Sequence, residues 1–230
     1  MQPYFLPYIG YFQLINAVDK FVIYDDVNFI KGGWINRNNI LINNRSSMFT
    51  VPLINASSFS KINDLKIHFD LYNLWKRKFI KSIHQSYKDA PYFTEIFDMI
   101  ESVLAIENNV TISFFATKAL REIVNYLKIN TEIVESSSRY NNNHLKSYDR
   151  VLDICFRENA TSYINPIGGH SLYDKLIFEE NGIKLNFLQS KNYIYKQFND
   201  DFIPWLSIID VLMFNSIDSF KFILNNFELI

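Results

Sequence analysis

Eight apolar residues between Ile112 and Leu127 fall on one face of a helix, and no other stretch limits the fold as tightly. Ile112, Phe115, Ala116, Ala119, Leu120, Ile123, Val124 and Leu127 recur at i, i+3, i+4, i+7, i+8, i+11, i+12 and i+15. That is the 3.6-residue period of an amphipathic helix with a full apolar stripe. A stripe of this kind must be covered, so other parts of the chain have to supply elements that pack on it.

Short β-type runs are available on both sides of it. They are Phe21–Tyr24, Asn39–Asn43, Met48–Leu53, Thr131–Glu135, Ser162–Asn165 and Ile183–Phe187. The pair around Asn44–Ser47 reads as a hairpin, and Pro52 marks an edge or a strand end. Helical patterns lie between the runs: Tyr11–Val18, Leu71–Tyr87, a helix opening at Ala90-Pro91, and Ser147–Arg157 with Ser147 as its cap. A further helix is capped by Ser171 and stopped by Asn181-Gly182, and Leu206–Phe214 and Ser219–Phe227 close the chain. Strands alternating with helices predict an α/β protein: a mixed, partly parallel sheet flanked by helices, with a helical middle segment. Residues 1–230 read as one domain, with 1–135 and 145–230 as candidate lobes. The polar run Ser136–His144 between them reads as a mobile loop or a lid.

Charge excludes one class of function. Lys and Arg total 23 against 24 Asp and Glu, which argues against a dedicated duplex-DNA binder. The 21 Phe, 14 Tyr and 3 Trp supply much buried area per residue for a core. Cys155 is the single cysteine. Its neighbours Val151, Leu152, Ile154 and Phe156 predict a buried structural thiol. No run approaches the ~20 apolar residues of a membrane span, and the N-terminus lacks the basic and apolar regions of a signal peptide. These features predict a cytoplasmic protein with no membrane span, so the Asn-x-Ser/Thr triplets at Asn55, Asn109 and Asn159 are read as chance.

Residues suited to chemistry are densest near the start. Gln2, Tyr4, Tyr8, Gly10 and Tyr11 are followed by Asp25 and Asp26, then by Lys31, Trp34, Asn36 and Arg37. If Phe21–Tyr24 is a parallel strand, Asp25 and Asp26 lie at its carboxyl end, where open α/β sheets place ligands. Adjacent acids with Lys31 and Arg37 nearby can bind a polar substrate or shift one acid's pKa. A solvated turn with a surface ion pair fits the same spacing. Gly10, at the junction of a turn and a helix, fits either a phosphate site or a simple tight turn. Gly168-Gly169 permits the same two readings. The histidines His68, His84, His144 and His170 are scattered and show no zinc spacing. There is no Gly-x-Ser-x-Gly, P-loop or Gly-x-Gly-x-x-Gly pattern.

The opening MQPYFLPYIGYF, from Met1 to Phe12, is followed by Asp19-Lys20-Phe21-Val22, Asp25-Asp26-Val27, Phe29, Trp34-x-Asn36-Arg37 and Val51-Pro52. Later come Tyr163, Gly168-Gly169, Tyr173, Phe178, Gly182-Ile183, Tyr195-x-Gln197 and Phe202-x-Pro204-x-Leu206-Ser207, ending at Asp210. Together these closely resemble the WbqC-like family over essentially the whole chain. Two departures stand out. Relatives usually carry an apolar strand before the Gln-Pro motif, and Phe79 stands where many have histidine. By analogy, Tyr8-Ile9-Gly10-Tyr11 occupies the slot of the His-x-Gly-His signature of nucleotide-binding α/β enzymes, which favours nucleotide binding.

The resemblance implies a transferase of surface-polysaccharide (O-antigen) synthesis, moving an acyl or aminoacyl (glycyl) group to a nucleotide-linked amino sugar. An acceptor amine must be deprotonated to attack, so a carboxylate base is useful, and Asp25 or Asp26 is the candidate. Arg37 is the candidate anion anchor. The resemblance adds Gly168, Gly169, Tyr195, Gln197, Ser207 and Asp210 as substrate-binding candidates, and Asn165, just before the Gly168-Gly169 turn, is a further one. Two alternatives remain open: a non-catalytic nucleotide-sugar binding or scaffold protein, and a metal-dependent nucleotidyl or phosphoryl enzyme using Asp25, Asp26 and Asp210. No metal motif is present, and nothing in the pattern names the acyl donor.

Overall fold

The computed structural model describes all of residues 1–230. In chain order, α1 (Ile9–Asn16) leads into β1 (Lys20–Val22), and β2 (Arg37–Ile42) turns back as β3 (Arg45–Thr50). Three helices follow, α2 (Phe69–Tyr87), α3 (Phe93–Val103) and α4 (Ile112–Tyr126). Then come β4 (Glu132–Val134), α5 (Ser147–Arg157), β5 (Ser162–Pro166), α6 (Lys175–Glu180) and β6 (Lys184–Ser190). The chain closes with α7 (Ile208–Phe214), α8 (Ile217–Ile223) and β7 (Phe227–Leu229). This is an α/β architecture with a helical middle, as the alternating pattern predicts. Its strands form three separate small sheets rather than one continuous sheet.

β1 and β4 pair in parallel, Phe21 opposite Ile133. On the other side of β1, the Met1 amine donates to the Val22 carbonyl at 2.8 Å and the Tyr24 amide donates to the Met1 carbonyl at 2.7 Å. That is the pattern of a parallel pairing, so the Gln2–Tyr8 segment leaves at the carboxyl end of β1. β5 and β6 are parallel, and β7 adds antiparallel to β6.

The stripe on α4 is covered as expected. Phe115, Ala116, Ala119 and Leu120 are fully buried, and Phe115 stacks on Phe5 with centroids 4.3 Å apart. Thr111 starts the helix by accepting from the Phe114 amide at 3.3 Å, which satisfies one of the unpaired first-turn donors. The main core gathers 45 buried residues from both ends of the chain. A smaller cluster of seven lies among α5, α6, β5 and β6 and includes Cys155.

Several local expectations are corrected. The hairpin turns on two residues, Asn43 and Asn44, with φ of 49° and 57°, and not across Asn44–Ser47. Asparagine tolerates that left-handed pair, whose twist matches the strands. Ser147 does not cap α5: Lys146 holds the cap position, and Ser147 itself has φ of 48°. Ser171 lies in a 3-10 turn (Ile167–Leu172), and Asp174 caps α6 by accepting from the Leu176 amide at 2.9 Å. The helix expected over Ser219–Phe227 ends at Ile223, because Phe227–Leu229 finds an open edge on β6 and pairs there. Ser136–His144 is no free loop. It contains a 3-10 turn (Ser137–Tyr140), and Ser137 and Asn142 are fully buried. No helix is long and apolar enough to cross a membrane.

Candidate functional site

β1 ends at Val22, two residues short of the run expected to reach Tyr24, and the structure gives Asp25 and Asp26 beyond it different surroundings. Asp25 is 3% exposed. Its Oδ2 accepts from the Ser113 hydroxyl and its Oδ1 from the Ser136 hydroxyl, both at 2.7 Å. No ion pair holds it. Asp26 takes Arg150 as a counter-ion, both of its oxygens accepting from one guanidinium nitrogen at 2.5 and 2.6 Å, and it also accepts from Ser137. Burial pushes the Asp26 carboxyl up, but the Ser137 and Arg150 bonds outweigh it and hold the group below its usual range. Arg150 is fixed in turn by Asn142, which accepts from its Nε at 2.9 Å, and it lies over the Tyr24 ring at 4.7 Å.

Asp25 faces a cavity of about 560 Å3 between α4 and the loops that follow β1 and β4. Eleven of its twelve lining residues are not hydrophobic, the exception being Phe114, which is 60% exposed. Two lining side chains carry buried oxygens with no hydrogen-bond partner, Asn63 Oδ1 and Thr117 Oγ1. The cations lining the cavity are already engaged. Lys118 donates to the Ser102 and Ala105 carbonyls, and Arg121 pairs with Glu135.

The opening motif forms a second feature, an aromatic face. Tyr4 lies edge-on to Tyr11 at 6.1 Å and tilted against Trp34 at 6.3 Å. Tyr8 meets Trp205 at 6.0 Å. Trp34 and Trp205 are 48% and 63% exposed. The Arg37 guanidinium sits 5.5 Å from the Trp34 ring centre, and its Nε is buried without a partner. Burial, then the neighbouring Tyr8, push the Tyr4 hydroxyl up, and Arg37 opposes them, so Tyr4 stays a protonated donor. A Cβ on Gly10 would strike the Tyr8 ring and come within 2.5 Å of Ser190 Oγ. That close approach explains the glycine without any ligand.

Other candidates are engaged elsewhere. The Tyr11 hydroxyl donates to the Gln2 carbonyl at 2.7 Å, the Asn36 amide to Val51 at 2.8 Å, and Ser207 Oγ to Leu6 at 2.8 Å. Each of these pins the opening turn or the strand beside it. Asn165 donates to the Tyr163 hydroxyl at 2.8 Å, and its Oδ1 fills the space a Cβ on Gly169 would need. Gly168 is open to its surroundings, and Lys31 is exposed in the turn with Gly32. Tyr195, Gln197 and Asp210 come together. Asp210, fully buried, accepts from Tyr87 at 2.9 Å, Tyr195 at 2.5 Å and Gln197 at 2.7 Å. Burial raises the Asp210 carboxyl, against the pull of those three donors. Asp25, Asp26 and Asp210 form no common ligand set, and no group of three or more His, Cys, Asp or Glu side chains is placed to hold a metal ion.

Sequence reasoning missed Ser113, Thr117, Ser136, Ser137 and Arg150. Ser113 and Thr117 did leave a signal. They lie four apart beside the apolar stripe, so they share a helix face that must be mostly buried. Arg150 left none.

The family model described as the WbqC-like protein family matches residues 2–222. The uncharacterized protein Rv1507c of Mycobacterium tuberculosis is 30% identical over 214 residues, covering 92% of this chain and 90% of that protein. No solved structure matches. The match from the Gln2 turn through Asp210 and into α8 shows that this chain belongs to the WbqC-like protein family.

Proposed function

We propose that this protein is a transferase of surface-polysaccharide synthesis that moves an acyl or aminoacyl (glycyl) group to the amine of a nucleotide-linked amino sugar. The observation that carries the reading is Asp25. A buried carboxylate oriented by two hydroxyls, with no cation to neutralise it, stands at the wall of a polar cavity. Ser113 and Ser136 aim the carboxylate and leave lone pairs for a substrate proton. Asp25 accepts a proton from the acceptor amine, and the freed amine attacks the acyl carbonyl. The tetrahedral intermediate then collapses, its nitrogen gives up its remaining extra proton to the departing group, and the donor's leaving group departs protonated. On the aromatic face, Arg37 supplies donors for a phosphate and Trp34 a surface for a base or sugar.

The test combines thermal shift with a panel of nucleotide sugars and mass spectrometry for an added acyl group. A stabilising nucleotide amino sugar that gains an acyl mass in the wild type but not in folded Asp25→Asn supports the reading. Stabilisation with no product under any acyl donor supports the second reading, a non-catalytic nucleotide-sugar binding protein. One observation favours that alternative: both Asp25 oxygens already accept hydrogen bonds.

A further inference from the structure

The cavity beside Asp25 has an uneven supply of hydrogen-bonding groups. Its deep wall offers acceptors. Asp25 carries a full negative charge on two oxygens when ionised. Asn63 Oδ1 can only accept, and it is buried without a partner. Thr117 is 6% exposed, and its Oγ1 is likewise unpartnered. Leaving a buried polar atom unsatisfied is costly, so two of them lining one cavity favour a polar occupant. All three line the same cavity. Ser113 and Thr117 are one helical turn apart on α4, and Ser113 bonds to Asp25. The Asn63 amide donates to the Asp25 carbonyl at 3.0 Å, which ties the Asn63 turn to the same strand end.

The charge balance of the cavity selects among ligands. Glu122 also lines it, while Lys118 is held by two carbonyls and Arg121 by Glu135. An anion placed there would meet Asp25 and Glu122 with no free cation to offset them. A ligand that brings donors would satisfy every vacancy. An ammonium has three N–H donors, and the site presents three acceptors for them: the Asp25 carboxylate, Asn63 Oδ1 and Thr117 Oγ1. At the rim, the exposed Phe114 ring offers an apolar face of the kind that covers the C–H face of a pyranose.

We infer that this cavity is a primary-amine subsite, seating the ammonium of an amino sugar against Asp25, Asn63 and Thr117 with the ring beside Phe114. The inference rests on the transferase reading for the identity of the sugar, but the binding of the amine does not depend on transfer. It also adds to that reading. The group that takes the proton is the group that anchors the amine, so the nucleophile is positioned before it is deprotonated.

The probes are glucosamine, N-acetylglucosamine and glucose, titrated into the full chain at neutral pH and followed by isotope-edited NMR. Glucosamine should bind at least tenfold more tightly than glucose or N-acetylglucosamine, with the largest shifts at Ser113, Thr117 and Asn63. Thr117→Val keeps the side-chain shape and should weaken glucosamine about tenfold while leaving the melting temperature near wild type. Phe114→Ala, at an exposed position, should weaken all three sugars alike. Equal binding of the three sugars, no binding of glucosamine, or unchanged glucosamine affinity in Thr117→Val overturns the subsite. If glucosamine binds as stated but no acyl product ever forms, the transfer reading fails and the amine subsite stands.

Discussion

Ser113 on α4 donates to Asp25 Oδ2 at 2.7 Å, across 88 residues of sequence, and so ties the most regular helix of the protein to the carboxyl end of its first strand. The bond orients one of the two adjacent acids toward the cavity, whereas Arg150 holds the other. The contrast separates an acid held by hydroxyls at a cavity wall from one locked into a buried ion pair.

Replacing the base should reduce rate more than affinity. Asp25→Asn keeps size and can still accept from one hydroxyl, so folding should survive. Acyl transfer should fall about 10²–10⁴-fold in kcat with a small change in KM. Steady-state kinetics on the folded variant check this, and unchanged specific activity would rule out the base assignment.

Arg37 should show the opposite split. Its Nε has no partner inside the chain, and it lies over the half-exposed Trp34. Arg37→Ala should weaken the nucleotide-linked substrate by about 10- to 100-fold, the worth of a charge-assisted bond. The fall should appear in KM and in calorimetric affinity, with kcat at saturation near wild type.

The Asp26–Arg150 pair predicts a structural defect. Both side chains are about 95% buried. Arg150→Met should leave an uncompensated acid and cost about 3–5 kcal/mol in urea denaturation. The pH dependence follows from the depressed Asp26 pKa. A group whose folded pKa lies below its unfolded one adds stability above the unfolded value and loses it as pH falls through the folded value. Wild type should therefore lose stability below about pH 4, and Asp26→Asn should lie lower at neutral pH but change less over that window.

Asp210 should behave in the reverse sense. Its folded pKa is raised by burial, so its contribution is fullest below the unfolded value and declines as pH climbs through the folded one. The stability of wild type relative to Asp210→Asn should shrink as pH rises above about 4. Activity per folded molecule should stay near wild type, because Tyr87, Tyr195 and Gln197 enclose the carboxylate within the core.

Cys155 is buried at 6% exposure, and burial pushes its thiol up to about 11. A thiol reagent at neutral pH should label the native protein slowly and the urea-unfolded protein at once. Rapid native labelling would contradict the buried placement.

Local order is largely legible in the sequence. The α4 stripe, the β-type run at Phe21 ahead of two acids, and the Gly182 stop all follow from forces acting over a few residues: helical period, strand propensity and left-handed turns. The errors at Ser147 and Ser171 have a local cause as well. Either serine suits a cap, and only the backbone path shows which residue has the extended conformation a cap requires.

What the chain could not show by itself is which distant groups meet. Pairing Phe21 with Ile133 in a parallel ladder delivers Ser136 and Ser137 beside Asp25 and Asp26. Packing the α4 stripe on the core then brings Ser113 to Asp25, and α5 brings Arg150 to Asp26. Two adjacent, chemically identical acids thus acquire different roles from neighbours roughly a hundred residues away. Sequence spacing determined that an acidic pair would end a strand. Only the tertiary structure decided which acid is paired and which faces the cavity, because parallel pairing and core packing join segments that no local periodicity connects.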